Sequence, residues 1–166
     1  MGSGALLDLA DAAVAEARRD SALMIVNDRA DVAVLSGAAG VHVGQEDLSP
    51  ADVRRAAGPE AIVGLSTHTR DQIVAAVAEP ISYLAIGPVF TTATKATGYD
   101  AVGYAAVKEA AERASRHGLP VVAIGGITLA TAPRVIEAGA SAVAIIGDLL
   151  TADPEARVRE YLAALV

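Results

Sequence analysis

Short aliphatic runs, each broken by polar or glycine-containing residues, recur along the chain and alternate with stretches whose apolar residues fall at helical spacing. Residues 23–26 form a continuous apolar run stopped by Asn27, Asp28 and Arg29, and residues 41–43 are stopped by Gly44, Gln45, Glu46 and Asp47. Residues 62–65 end at Ser66, Thr67, His68 and Thr69; residues 83–86 at Gly87 and Pro88; residues 121–124 at Gly125 and Gly126; residues 142–146 at Gly147. Runs so short and so continuous predict six strands buried on both faces. Between them, Leu6, Leu9, Ala10, Ala13, Val14 and Ala17 predict an amphipathic helix over residues 5–19, with Ser3 as N-cap and Arg18 and Arg19 in its last turn. One turn of helix is predicted over 32–35, and Ser49 and Pro50 open a helix over 51–57 that Gly58 and Pro59 close. Further helices are predicted over 70–78, 104–116 and 129–138, and a last one ends near Val166.

Strand, crossover helix, strand is the unit that builds parallel sheets, whose strands release their following loops on one edge. The alternation predicts a parallel α/β architecture, an open doubly wound sheet or a (β/α)-barrel. Near-uniform spacing and a polar or glycine residue after every strand favour the TIM-type (β/α) barrel, whose active site lies at that strand-end face. A complete barrel has eight strands. The expectation is therefore a barrel lacking its first two strands, with six parallel strands present, in a single incomplete domain over residues 1–166. The rhythm breaks once, at a loop over 88–103 rich in Thr, Gly and Ala and carrying Lys95, whose length and polarity predict a lid.

Composition narrows the partners. At 166 residues and 53% hydrophobic, the chain has room for one sizeable core. A formal charge of −7 without a Lys/Arg cluster argues against nucleic acid or an anionic membrane as partner. No apolar run approaches the roughly 20 residues that cross a bilayer. Residues 1–20 lack a basic start and carry Asp8, Asp11 and Glu16, unlike a signal peptide. Zero cysteines remove disulfides and thiolate metal sites. A cytoplasmic protein is expected, and any phosphate ligand must be held by backbone groups, a metal or single cations.

Asp28 and Asp47, each after a strand, suit a Mg²⁺ ion, which takes one or two carboxylates and completes its shell with water and phosphate oxygens. They equally suit a helix cap and a solvated loop acid. Asn27 offers an amide to a polar ligand or forms a turn. Gly125 with Gly126, and Ile146 with Gly147, fit the two halves of a barrel phosphate grip built from backbone N–H groups, or two turns. Lys95 sits among Thr91, Thr92, Thr94 and Thr97, a set suited to a phosphate oxyanion. Ser66 is placed to hydrogen-bond a substrate, with no obvious base to make it a nucleophile. His42 and His68 are taken as structural, and His117 as a helix C-terminal residue.

In order along the chain stand VNDRADVA, GVHVGQEDL, GLSTHT, GPVFTTATK and VVAIGGIT, each at a strand end. Together these motifs resemble the thiamine-phosphate synthase family over essentially the whole chain. The resemblance implies a (β/α)₈ barrel transferase that joins hydroxymethylpyrimidine diphosphate to thiazole phosphate, releases pyrophosphate and uses Mg²⁺. It implies Asp28 and Asp47 for the metal, Asn27 and Ser66 for the pyrimidine, and Lys95 for its diphosphate. It also implies Thr92, Ala93 and Thr94 for the thiazole phosphate substrate, with Gly126, Ile146 and Gly147 on its phosphate. Ser66 and Lys95 are the residues expected to act in catalysis.

Two departures stand out. The family pattern usually has Ser where this chain has Gly147, which implies weaker phosphate binding. The family also places a strand, a helix and a second strand ending in a Gln-x-Arg-x-Lys type motif ahead of the segment that begins here. Met1 is therefore expected to be an internal methionine of a longer frame, and the activity of this chain is in doubt. The alternative is a catalytically silent fragment that binds a phosphate ligand or associates through its open edges at residues 23–27 and 142–146. A thiazole tautomerase shares the barrel but tends to have His where Pro88 follows Gly87, and both carboxylates are kept here.

Overall fold

The computed structural model describes residues 2–92, 94 and 98–165. It holds two compact units, Met1–Ser66 with Ala78–Tyr83, and Thr67–Val77 with Leu84–Val166.

The first unit runs α1 (Ser3–Arg19), β1 (Ile25–Asn27), α2 (Ala30–Ser36), β2 (Gly40–Val43), α3 (Pro50–Ala57) and β3 (Ile62–Thr67), the last residue of β3 belonging to the second unit. β1 pairs parallel with β2 and β2 with β3, in a register that sets Asn27 beside His42 and His42 beside Gly64. Val41, Val43, Val53 and Val63 are completely buried, each such side chain contributing about 1.5–3 kcal/mol relative to exposure. Ser49 caps α3 by accepting from the Asp52 N–H, with Pro50 in the first turn, as the sequence predicts. The expected cap of α1 is corrected. The helix already includes Ser3, and the Ser3 hydroxyl accepts instead from Arg29 Nη2 at 3.2 Å. Arg54 binds the turns around β3 together, donating to the carbonyls of Pro59, Ala61 and Pro80 and to Ser82 Oγ.

The second unit runs α4 (Arg70–Ala76), β4 (Tyr83–Ile86, of which Tyr83 counts with the first unit), α5 (Gly103–Ser115), β5 (Val121–Ile124), α6 (Ala132–Glu137), β6 (Ala142–Ala144), a 3-10 turn (Gly147–Leu149) and α7 (Pro154–Leu165). β4, β5 and β6 pair in that order, all parallel. The α/β expectation with six parallel strands is met. Several strand boundaries shift, β1 running from Ile25 to Asn27 and β2 beginning at Gly40. β3 continues through Ser66 and Thr67, because the Thr67 hydroxyl is buried and donates to the Ala85 carbonyl at 2.8 Å. β6 stops at Ala144 and is partly exposed, and β1 is buried only at Val26, against the expectation that all six strands are buried on both faces. Its chain turns at Gly147 instead of extending to Ile146.

The loop predicted as a lid is anchored at both ends. Val89 N donates to the Ile124 carbonyl and Phe90 N to that of Gly125, while Val102 N and Gly103 N return to the carbonyls of Pro88 and Val89. Pro88 and Val89 are buried, so the segment begins as core. Among the described residues no buried side-chain polar atom lacks a partner, and no helix is long and apolar enough to cross a membrane.

Candidate functional site

Asp28 and Asp47 follow neighbouring parallel strands and line one cavity of about 660 Å³ together with Arg29, Asp31, Val34, Leu35 and Leu48. Asp28 adopts φ +62 and its N–H donates to the His42 carbonyl at 2.8 Å. Aspartate is one of the few residues that tolerates this left-handed backbone, which sharply turns the chain out of β1. Asp47 is exposed and one of its oxygens accepts from the Gly44 N–H at 2.8 Å, closing the loop after β2. That bond leaves the second oxygen and remaining lone pairs for a cation. The cation already present, Arg29, is engaged by Asp31 through two bonds of 2.8 and 2.6 Å. This pairing, through its hydrogen bonds first, holds the Asp31 carboxyl down at about 2 and raises Arg29. Both are ionised at neutral pH, and Asp28 and Asp47 lie beside them on the same cavity. Among the described residues no group of three or more His, Cys, Asp and Glu side chains forms a metal cluster. A hard cation that completes its shell with water and phosphate oxygens needs only the two.

Asn27 ends β1 and is exposed; Ser66, near the end of β3, is half-buried. The sequence offers Ser66 no obvious base; the fold gives its hydroxyl a hydrogen-bond partner. His42 Nε2 lies 2.8 Å from Ser66 Oγ, and His42 Nδ1 lies 2.8 Å from Tyr83 Oη. The rings of His42 and Tyr83 stack with centroids 5.6 Å apart. Burial raises the Tyr83 hydroxyl above its ordinary value, so it stays protonated. Gln45 Nε2 donates to the Ser66 carbonyl at 2.6 Å. Gly64 makes this arrangement feasible, since a Cβ there would lie 2.1 Å from Tyr83 Cζ and 2.5 Å from His42 Nδ1. The histidine taken as structural is thus tied to a predicted site residue. The signal was the register, because Ser66 is two residues beyond the glycine that faces His42 and so projects on the same side of the sheet.

In the second unit, Gly125 and Gly126 have φ +98 and +64. Their need for glycine has a steric source. A Cβ on Gly125 would lie 2.6 Å from Pro88 Cα, and one on Gly126 would lie 2.6 Å from the Thr91 carbonyl oxygen. The backbone at 88–91 therefore crosses directly against this turn. Thr92 Oγ1 accepts from the Thr94 N–H at 3.2 Å, and Thr94 is exposed. A methyl at Gly147 would meet Thr94 Oγ1 at 3.5 Å, which places the lid threonine over the start of the 3-10 turn. Ile146 is 51% exposed. Ala93 and Lys95 lie outside the described residues. His68 lies against the same loop. Its Nδ1 donates to the Gly87 carbonyl at 2.5 Å, and its ring stacks on Tyr99 at 4.0 Å.

A sequence model described as thiamine monophosphate synthase matches residues 1–149. The chain is 46% identical over 142 residues to the thiamine-phosphate synthase of Koribacter versatilis, covering 86% of this chain and 65% of that protein. It is 44% identical over 151 residues to the thiamine-phosphate synthase of Mycobacterium sp. (strain KMS), covering 90% of this chain and 66% of that one. The chain thus spans slightly less than two thirds of the length of these two relatives. Among solved structures, the thiamine phosphate pyrophosphorylase from Pyrococcus furiosus superposes with a TM-score of 0.90 at 26% identity, covering 99% of this chain and 78% of that one.

Proposed function

Since the chain belongs to the thiamine monophosphate synthase family, we propose that it acts as a transferase which condenses hydroxymethylpyrimidine diphosphate with thiazole phosphate and releases pyrophosphate. The observation that carries this reading is the pair Asp28 and Asp47 on one cavity at the ends of neighbouring strands. Two carboxylates beside an internally neutralised Arg29–Asp31 pair fit Mg²⁺, with the diphosphate supplying further oxygens. When bound, the metal neutralises charge that develops on the departing diphosphate.

The remaining roles belong to this chain's own residues. Asn27 and Ser66 orient the pyrimidine, the Ser66 hydroxyl being fixed by His42. The bond from the pyrimidine methylene to the diphosphate oxygen breaks, and the thiazole nitrogen forms the new carbon–nitrogen bond. No proton has to be abstracted, so the chemistry asks for charge neutralisation rather than a general base. Lys95 shares that task on the strength of its place in the motif. Thr92 and Thr94, with backbone groups at Gly126, Ile146 and Gly147, receive the thiazole phosphate. The family reading also supports a cytoplasmic setting with small molecules as partners.

The test is a coupled pyrophosphate-release assay on the full chain with both substrates and Mg²⁺, run beside calorimetric titration of each substrate. Pyrophosphate release that depends on Mg²⁺ supports the proposal. Binding of thiazole phosphate without any release transfers support to the phosphate-binding reading, and failure to bind either substrate sinks both.

A further inference from the structure

One carboxylate in the second unit is tied to both glycine loops. Asp148 is the middle residue of the 3-10 turn that begins at Gly147. Its Oδ2 accepts from the Leu129 N–H at 3.1 Å, in the segment that follows Gly125 and Gly126. The same oxygen accepts from the Tyr161 hydroxyl of α7 at 2.6 Å. Tyr161 is only 6% exposed, the buried residue of that helix, so its hydroxyl is held in place by packing. The loop after β5, the turn after β6 and the last helix therefore meet at a single atom.

An acid at this position has the wrong sign to touch a phosphate, since like charges repel strongly at short range. Its value must lie in what it accepts. A carboxylate is acceptor-only and can take several donors at once, and hydrogen bonds to an ionised group are about twice as strong as neutral ones. Its charge is further offset by Arg157, which, after the Tyr161 and Leu129 bonds, helps keep the Asp148 carboxyl below its ordinary value.

We propose that Asp148 is a positioning residue, which holds the loop at Gly125–Gly126 and the turn at Gly147 in the mutual placement that receives one phosphate group. This rests on reading those loops as the phosphate site. An anion shared between two loops needs their N–H groups presented together, and short glycine turns have little rigidity of their own.

The experiment is calorimetric titration of the full chain with three probes, the thiazole phosphate, its dephosphorylated alcohol and inorganic phosphate. Asp148→Ala removes both bonds and is expected to weaken the two phosphate probes about tenfold, with the alcohol unchanged. Asp148→Asn keeps, in the place of Oδ2, an amide oxygen that can accept from both the Leu129 N–H and the Tyr161 hydroxyl, and is expected to stay within about threefold of the unsubstituted chain. Tyr161→Phe keeps the buried ring, removes one donor and is expected to weaken the phosphate probes several-fold; it decides the matter if Asp148→Ala does not fold. Undiminished phosphate binding in a folded Asp148→Ala, or in Tyr161→Phe where Asp148→Ala does not fold, overturns the proposal, as does an equal loss for phosphate and alcohol. Gly126→Ala separates the two levels of argument. If Gly126→Ala weakens phosphate and Asp148→Ala does not, only the positioning role falls; if Gly126→Ala changes nothing, or the unsubstituted chain binds no phosphate probe, the phosphate reading falls and this proposal with it.

Discussion

His42 Nε2 stands 2.8 Å from Ser66 Oγ although the two residues are 24 apart in sequence. A neutral imidazole has one donor and one acceptor nitrogen, so the chain Ser66–His42–Tyr83 has a direction. If Tyr83 donates to Nδ1, then Nε2–H donates to Ser66 and leaves the Ser66 hydroxyl hydrogen for a ligand. With the other tautomer, Ser66 donates to His42 and only its lone pairs face the ligand. The expected outcome for Ser66→Ala and His42→Ala singly is pyrimidine diphosphate binding weaker by about 1 kcal/mol each, the net value of one hydrogen bond. The double substitution is expected to cost little more than either alone, a coupling of at least about 0.5 kcal/mol. Fully additive losses in calorimetric titration would show that the two residues act independently.

Gly64 is the space in which that pair fits. With a Cβ 2.1 Å from Tyr83 Cζ, Gly64→Ala must displace the ring, breaking its bond to His42. The expected cost is about 1–3 kcal/mol of unfolding free energy, the range for overpacking a filled site. Because the closest collision is with the Tyr83 ring, His42 Nδ1 lying farther off at 2.5 Å, adding Tyr83→Ala to Gly64→Ala is expected to recover part of the loss relative to the sum of the single changes. Urea melts of the four proteins measure this, and strict additivity would place the strain elsewhere.

Much of this fold is legible because its punctuation is local. β4 and β5 lie where continuous apolar runs are bounded by Pro or Gly, and Ser49–Pro50 announces α3. What sequence spacing hides is decided by partners from distant segments. Ser66 and Thr67 look like a polar stop, yet they extend β3 because the Ser66 hydroxyl pairs with His42 and the Thr67 hydroxyl donates to the Ala85 carbonyl. Ser3 looks like a cap, yet Arg29 claims its oxygen. Asp28 and Asp47 were visible as acids after strands, and only the β1–β2 register shows that they open onto one cavity. Gly125 and Gly126 were read for a ligand's approach, while the structure adds a nearer reason in the backbone crossing at Pro88 and Thr91.

Asp47 has one observed bond, from the Gly44 N–H, and one proposed role, at the metal, and substitution can separate them. Asp47→Asn keeps an oxygen for the Gly44 N–H but removes the charge, whereas Asp47→Ala loses both. In metal-free buffer, Asp47→Ala is expected to lower stability by about 1 kcal/mol and Asp47→Asn to change it little. Asp28→Asn is also expected to fold normally, since Asn tolerates the positive φ of that position. The proposed metal role predicts that Mg²⁺ at 100 times its dissociation constant, with the pyrimidine diphosphate present, stabilises the unsubstituted chain by about 2.7 kcal/mol. Both Asn variants are expected to lose most of that shift. Thermal melts with and without Mg²⁺ decide it, and an undiminished shift in either variant would remove that carboxylate from the metal site.

Asp148 makes a separate prediction for acid. Its hydrogen bond from Tyr161 holds the folded-state carboxyl below its ordinary value, so the unfolded chain binds its proton first as pH falls. The stabilisation is therefore fully present above the unfolded value, about 4, and is lost as pH drops through the folded one. Asp148→Asn cannot titrate. The stability difference between the unsubstituted chain and Asp148→Asn is expected to be constant from pH 7 to 5 and to move in favour of the Asn variant below about pH 4. Urea melts at each pH measure the difference directly, with the other carboxylates cancelling between the two proteins. A difference that stays flat down to pH 2.5 would mean that the Tyr161 bond does not distinguish the charged carboxylate from its protonated form.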